Sequence, residues 1–340
     1  MQRRGFLILL GLTVVLVVVA AIAASGRDRN AVRVAPNERA LPGLGPKLGE
    51  LAWIRLAHGA TRINFAQIGG EWAEVEKGNY PANQGKIRQM LLGLADLTLV
   101  EPKTERPEMF ARIGLDDPSN GKSTLVAVQD RAGATVGELI VGNRKFDRLG
   151  GGNDAVYIRK AGTDRTWLAR GSLDVTGEPA SWLGRRILDI PQNRVAAVKL
   201  TGTDGAVLTL KRDKPDAAFA VEDPPADTNF KADMVLAKPA GALEAVDLDD
   251  VRPSAELPVP DHDVVTAALS TFDGLAVEVF LFERDGVNWA AFDVSGSGTA
   301  EAEAKTLADK LSHWTYAIPA AKANALRTKL ADLVEPPKPS

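Results

Sequence analysis

The feature that most constrains this chain is an uncharged, apolar run near its start, from Gly5 to Gly26. A helix needs about 20 apolar residues to cross a hydrocarbon core about 30 Å thick, and this run is long enough. Arg3 and Arg4 precede it, which favours an N-terminus in the cytoplasm and the bulk of the chain outside. We therefore predict a retained transmembrane signal anchor over residues 5–26.

Two alternatives stay open for this run. Its most apolar part, Phe6 to Val19, also has the length of a signal-peptide core, and the small residues at 21–23 offer a cleavage site. Arg3 and Arg4 also resemble a twin-arginine export signal, although the short start and very apolar core favour ordinary Sec insertion. Each alternative still places the remainder of the chain outside the cytoplasm.

Composition narrows the class of protein. Roughly 310 residues follow the run, enough for two domains of ordinary size. The formal charge is −3, with no basic stripe typical of nucleic-acid binding and no polybasic cluster typical of a lipid-binding surface. Cysteine is absent, which excludes disulfides, lipidated cysteine and thiolate metal sites.

The chain after the run divides by pattern into three parts. Residues 27–48 are punctuated by Pro and Gly and predict a tether. Short alternating apolar runs then predict a β-meander, followed by a helix with Asn83 as its N-cap. Its apolar residues recur at helical spacing: Ile87, Met90, Leu91, Leu94 and Leu97. Further strand-like runs complete a first α+β module, residues 49–190.

The second module, residues 191–336, repeats the order of the first. Strand, Gly turn, strand and aromatic recur, with Phe219 in the place of Trp72. Pro239 and Gly241 would interrupt the helix that follows. A hairpin with Asp285-Gly286 at its turn, a helix at 299–312, a strand at 313–319 and a final amphipathic helix at 320–334 complete the module. The predicted fold class is α+β: two repeated modules of antiparallel β-meander with packed helices, after one N-terminal transmembrane helix.

Six stretches together resemble a bacterial family, the domain of unknown function 4340. They are Trp72 with Tyr80-Pro81-Ala82-Asn83, "LLGLADL" at 91–97, "RIGLDDP" at 112–118, "ELIVGN" at 138–143, "AVYIR" at 155–159 and "HWTYAIP" at 313–319. The resemblance covers most of residues 50–335 in two copies. These are framework motifs and contain no catalytic residue.

The resemblance implies a function by context. Similar proteins are usually membrane-anchored and encoded beside an ABC-type transport system of the kind linked to gliding motility. It implies a single-pass protein of the bacterial inner membrane, with the bulk of the chain in the periplasm, and an auxiliary role beside membrane transport proteins.

The sequence contains no complete match to a nucleotide-binding or catalytic motif. "SNGKST" at 119–124 imitates the end of a phosphate-binding loop, but Asp116 stands where a Gly is required and a strand follows, so we predict a turn and no nucleotide. His58 in a hairpin turn, His262 in a loop and His313 at a strand start form no zinc-protease motif, and no serine lies in a G-x-S-x-G motif.

Acidic, basic and aromatic groups of the sequence offer no clear binding site. "DLDD" at 247–250 and "DHD" at 261–263 could supply oxygen ligands to Ca²⁺, but they lack the EF-hand loop, and Asp261 and Asp263 more simply cap a helix from Val264. Arg185-Arg186 is more typical of a solvated helix end than of an anion site. The six tryptophans are assigned to the core in preference to a sugar-stacking platform: Trp53, Trp72, Trp167, Trp182, Trp289 and Trp314.

The sequence thus predicts a chain with no catalytic, cofactor-binding or metal-binding residue. The favoured function is an extracytoplasmic, membrane-anchored binding or scaffold subunit accessory to an ABC-type transport system. The alternative is a free-standing periplasmic glycan- or lipid-binding domain. The third and least favoured hypothesis is a hydrolase whose catalytic groups converge from distant positions.

Overall fold

The computed structural model describes residues 13, 15–18, 37–146 and 154–335. The predicted anchor at 5–26 lies almost wholly outside the described residues, together with Arg3, Arg4 and the cleavage site at 21–23. No helix within the described ranges is long and apolar enough to cross a membrane. The anchor therefore stays a prediction.

The predicted α+β class is confirmed by two antiparallel sheets accompanied by short helices. The first sheet follows the order β4-β3-β2-β1-β6-β7-β8-β9-β5. Its strands are β1 Leu51–His58, β2 Thr61–Ile68, β3 Glu71–Glu74, β4 Tyr80–Pro81, β5 Thr98–Pro102, β6 Thr124–Asp130, β7 Thr135–Lys145, β8 Ala155–Lys160 and β9 Thr166–Arg170.

The second sheet follows the order β13-β12-β11-β16-β17-β18-β19-β15. Its strands are β11 Val195–Thr201, β12 Val207–Lys211, β13 Ala220–Val221, β15 Asp250–Pro253, β16 Val265–Thr271, β17 Leu275–Arg284, β18 Val287–Gly296 and β19 Trp314–Ala317. A separate short pair joins β10 Arg186–Leu188 to β14 Val246–Asp247.

The two sheets share one strand order. With β4 set aside, the eight remaining strands of each sheet, counted along the chain, lie in the order 3-2-1-5-6-7-8-4. Trp72 on β3 and Phe219, directly before β13, are both buried. This is the arrangement that an internal repeat predicts.

The first helix, α1, spans Gln84–Asp96 and confirms the prediction. The Asn83 side-chain oxygen accepts a hydrogen bond from the Lys86 backbone N–H at 3.0 Å, which satisfies one free donor of the first turn. All five residues predicted to form its apolar face and C-terminal end are buried.

The remaining helices follow the sequence in part. The interruption near Pro239 and Gly241 leaves only α2, Asp233–Leu236, while α3 occupies Glu301–Leu311 as predicted. The single helix predicted over 320–334 is wrong. It is divided into α4, Ala320–Leu326, and α5, Leu330–Leu333, because Arg327 leaves helical geometry and Lys329 is extended.

The described part of the predicted tether is folded. Ala40 and Leu44 are completely buried, and the Ala40 N–H donates to the Leu97 carbonyl at 2.8 Å. A 3₁₀ helix, Gly45–Glu50, then leads into β1. Residues 27–36 of the predicted tether lie outside the described ranges.

By its internal contacts the chain forms two compact units. Among the described residues, the first unit comprises those up to Leu51 with Leu56–Ala60 and those between Met90 and Val175. The second comprises Ala52–Arg55, Thr61–Gln89 and the described residues from Thr176 onward. This division differs from the predicted modules 49–190 and 191–336, because the segment from Thr61 to Gln89 groups with the C-terminal residues.

Candidate functional site

Two cross-strand rows line an open groove of about 470 Å³ on one face of the second sheet. We call it the outer sheet groove. Its first row runs Thr209, Lys199, Ala268, Glu278, Asp293, each residue directly opposite the next on the neighbouring strand. Its second row runs Lys211, Ala197, Ser270, Ala276, Ser295 in the same way. Small side chains in the middle of both rows create the depression.

Charge is divided along the outer sheet groove. At one end Lys199 is exposed and Lys211 is paired with Glu222. At the other end, Glu278 and Asp293 lie directly opposite each other on β17 and β18. No ion pair to either carboxylate is found among the described residues. Like charges in directly opposed positions destabilise a sheet, so this end has a structural cost without a visible structural purpose.

The edges of the described sheets are poorly suited to adding a strand. Edge strand β4 contains Pro81, β5 contains Pro102 and β15 contains Pro253, while β13 has only two residues. Proline removes a backbone donor, and short edge strands limit pairing with another chain. The described sheet edges therefore disfavour the addition of a strand from another chain.

A buried carboxyl, missed by sequence reasoning, lies on β3. Glu74 is 1% exposed, and its Oε2 atom has no hydrogen-bond partner among the described residues. Burial raises the pKa of Glu74 to about 8, against the lowering effect of the Lys77 ammonium. The signal was the alternation of β3, which places Glu74 on the same side of the strand as Trp72.

Aromatic side chains pack in the same unit. Tyr80 packs edge to face on Trp314, with ring centroids 5.1 Å apart, and the Tyr80 hydroxyl donates to the Gly184 carbonyl at 3.1 Å. Burial raises the pKa of Tyr80 to about 12 and also raises the pKa of Tyr316. Both phenols therefore stay protonated at neutral pH and act as packing groups.

A second groove, of about 730 Å³, runs between α2 with its following turn and the helices α4 and α5. We call it the lysine groove, because its lining includes Lys231, Lys238 and Lys322. Apolar side chains contribute to its floor, among them Val235 and Leu333. Its geometry combines apolar contact with positive charge.

A smaller apolar cavity of about 200 Å³ lies beside the β11–β12 turn. Leu200, Leu208 and Leu326 line it, and an ion pair between Asp204 and Lys329 at 2.7 Å closes one side. Its volume falls below the range of about 300–1,000 Å³ typical of small-molecule sites.

The segment at 119–124 forms a turn, as predicted. A 3₁₀ helix, Pro118–Asn120, is capped by the Asp117 carboxylate and ends at Gly121 in the left-handed conformation. Strand β6 begins at Thr124, so the segment lacks the helix start that a phosphate site requires.

The three histidines lie in separate environments. His58 is the last residue of β1 rather than part of the turn, and its Nδ1 lies 3.0 Å from the Ser123 carbonyl oxygen. His262 is an exposed loop residue, and His313 directly precedes β19, as predicted. No group of three or more potential metal-ligating His, Asp or Glu residues occurs in the described ranges.

The acidic residues at 247–250 pair with cations instead of converging on one point. Asp247 contacts Arg186 at 2.7 Å and Asp249 contacts Arg185 at 3.6 Å. The prediction that Arg185 and Arg186 end a helix is wrong, because Arg186 opens β10.

The helix predicted from Val264 is also wrong. Val264 precedes β16, and Asp263 has a left-handed φ of 59° in the loop before it. The residues that follow alternate between buried and more exposed positions along β16, as a strand with one core-facing side does.

Most tryptophans belong to the core, as predicted. Trp72, Trp182 and Trp289 are buried, and Trp167 and Trp314 are half-buried. Trp53 is the exception at 45% exposed. The described tryptophans therefore do not form one shared stacking platform on the surface.

Comparison with known proteins gives one match. The model of the DUF4340 family, a domain of unknown function, matches residues 72–285. No curated protein and no solved structure matches the chain significantly. The matched region runs from the second residue of β3 to the end of β17 and so includes α1 and strands of both sheets. Because the match covers more than half of the chain, the protein belongs to the DUF4340 family.

Proposed function

We propose that this protein is an extracytoplasmic, membrane-anchored binding or scaffold subunit accessory to an ABC-type transport system, acting by contact rather than by chemistry. The observation that carries the proposal is the opposition of Glu278 and Asp293 in the outer sheet groove. Two carboxylates that have no ion pair within the described ranges, held side by side at a cost in stability, suit a partner that presents Arg or Lys.

The architecture supports contact through faces. We infer that the chain comprises two repeated modules, since the two sheets share one strand order. The blunted edges leave the faces as the surfaces on which a partner can bind. A retained helix at 5–26 would hold both modules at the membrane and raise their effective concentration near a membrane partner.

The test is site-specific crosslinking of the full-length chain in its native host. A photoreactive amino acid replaces Ser295 in the outer sheet groove, and a matched control replaces Lys214, an exposed residue outside the groove. We expect Ser295 alone to crosslink to an integral membrane subunit of an ABC transporter, and the product to disappear with Glu278→Lys. Identical products from both positions, or none from Ser295, would refute the proposal.

A second candidate is the free-standing periplasmic glycan- or lipid-binding domain. The lysine groove favours its lipid form, because positive charge there borders apolar floor. Such a domain would bind ligand while giving no groove-specific crosslink to a transporter.

A further inference from the structure

The lysine groove gathers charge that is dispersed in the sequence. Lys231, Lys238 and Lys322 line it, and Asp332 is the acidic residue of the lining. The rest of the lining is uncharged, in a chain whose formal charge is −3. A local excess of ammonium groups in a net-acidic protein indicates a site that favours anions.

Two of the lysines are held in place by backbone carbonyls. The Lys322 amine donates to the Gly241 carbonyl at 3.1 Å and to the Glu244 carbonyl, and the Lys231 amine donates to the Asp332 carbonyl at 2.7 Å. An ammonium has three donors, so each keeps at least one for a ligand. Burial lowers the pKa of Lys322, and the nearby Glu244, Asp189 and Asp247 carboxylates act in the opposite direction.

Lys238 is exposed, and no hydrogen bond or ion pair of its amine is found within the described residues. Its long apolar stem borders the groove while its charge stays available. Because its amine has no partner among the described residues, Lys238 is the residue whose replacement separates ligand binding from stability.

The floor between the lysines is apolar. Val235, Ala325 and Leu333 contribute to it, and Met234, on the same short helix as Val235, is 76% exposed. A groove of about 730 Å³ lies within the size range of small-molecule sites. An apolar floor beneath separate point charges suits a ligand with an anionic head and a hydrocarbon chain.

We propose that the lysine groove binds an anionic lipid, with the headgroup at the lysines and acyl carbon on the apolar floor. The site does not depend on the transporter partner proposed above, and rests on that proposal only for proximity to a membrane. The lipid would position this face toward the bilayer surface, where neighbouring lysines are attracted to anionic lipids.

The test uses the full-length chain, purified in an uncharged detergent and incubated with phosphatidylglycerol or phosphatidylcholine. Bound lipid is counted by native mass spectrometry. We expect phosphatidylglycerol to be retained about tenfold more strongly, and Lys238→Glu to remove most of that preference. Ala321→Trp, at an exposed residue of the groove lining, should block both lipids by filling the groove.

Lys214→Glu, outside the groove, is the matched charge control and should bind like the original chain. Circular dichroism establishes that each variant is folded at the assay temperature. Equal retention of the two lipids, or a Lys238→Glu variant indistinguishable from Lys214→Glu, would overturn the proposal. Displacement of phosphatidylglycerol by millimolar inorganic phosphate would also overturn it, since the groove would then hold a free anion. Failure of the transporter crosslink would leave these outcomes unchanged, so the two proposals fail separately.

Discussion

Glu278 and Asp293 face each other across β17 and β18, in a cross-strand row whose centre is Ala268. Opposed carboxylates repel, and pairs of this kind change sheet stability by roughly 0.2–1 kcal/mol. Natural proteins commonly give up stability of this size at functional surfaces. The pair therefore links a local energetic cost to the surface proposed for partner contact.

Asp293→Asn should raise the free energy of unfolding by about 0.5 kcal/mol at low salt, because it removes the repulsion with Glu278. The gain should shrink in 0.5 M salt, which screens exposed charges. Urea denaturation measures both values. Glu283→Gln is the matched control, since Glu283 lies opposite the neutral Asn288 on the same hairpin. If Asp293→Asn lowers the free energy of unfolding, or if Glu283→Gln raises it equally, repulsion between Glu278 and Asp293 does not destabilise the sheet.

Glu74→Gln should change how stability depends on pH. The pKa of Glu74 is about 8 in the folded protein and near 4.5 when exposed, so the folded state keeps a proton that the unfolded state releases. The stability that this group supplies is complete below pH 4.5 and is lost as pH rises to about 8. Between these values the free energy of unfolding falls by at most about 1.4 kcal/mol per pH unit. Above pH 5 the variant should become progressively more stable relative to the original chain.

Urea titrations at pH 5, 6, 7 and 8 test this difference. Glu71→Gln, at an exposed residue of the same strand, is the control. Its free energy of unfolding should depend on pH in the same way as that of the original chain. Parallel curves for Glu74→Gln would show that the carboxyl is already ionised in the folded protein.

Local patterns predicted local structure well. The α1 helix was specified by the cap at Asn83 and by apolar residues at helical spacing, and each of these features depends only on neighbours in sequence. The same holds for the hairpin of β17 and β18 around Asp285-Gly286. The repeat predicted one meander pattern twice, and the strand orders of the two sheets agree with it.

The candidate surfaces could not be found in this way because they depend on register and on distant contacts. Glu278 and Asp293 become neighbours only once the pairing of β17 with β18 is known. Lys231, Lys238 and Lys322 form no polybasic cluster in sequence. They line one groove because Lys231 lies just before α2, Lys238 lies in the turn after it and Lys322 lies on α4. The Asp residues before Val264 predict a helix where the structure has β16, because residues that cap helices are also common in turns and loops.

Gly78→Ala should destabilise the protein more than Gly69→Ala. Both glycines have a left-handed φ, 67° and 60°, so each substitution has a backbone cost of about 1 kcal/mol. A Cβ on Gly78 would also overlap the Pro253 side chain, whereas nothing lies within 4 Å of a Cβ on Gly69. Overpacking typically adds about 1–3 kcal/mol. Thermal denaturation of both variants measures the excess, and equal losses would rule out the close approach of Gly78 and Pro253.

Trp72→Ala and Phe219→Ala should each lower the free energy of unfolding by about 3–5 kcal/mol, the usual loss for a truncated core aromatic. Both side chains are buried, and Arg212 also packs over the Phe219 ring at 4.5 Å. Trp53→Ala is the control, because that side chain is 45% exposed, and it should cost much less. If Trp72→Ala leaves the midpoint of unfolding unchanged, Trp72 does not occupy the core position that the repeat assigns to it.

The last prediction separates contact at a membrane from soluble chemistry. Deleting residues 3–26 and exporting the remainder with a cleavable signal should leave the far-ultraviolet circular dichroism unchanged but sharply reduce the Ser295 crosslink. The reason is that a shared membrane supplies the effective concentration of the two partners.

The histidine variants supply the comparison. His262→Ala should leave the free energy of unfolding unchanged, since the side chain is 84% exposed. His58→Ala should lower the free energy of unfolding by about 1 kcal/mol through its lost hydrogen bond. Neither change should affect crosslinking in the full-length chain. Undiminished crosslinking by the untethered form, together with loss of function on removing a single histidine, would favour a soluble enzyme over a tethered scaffold.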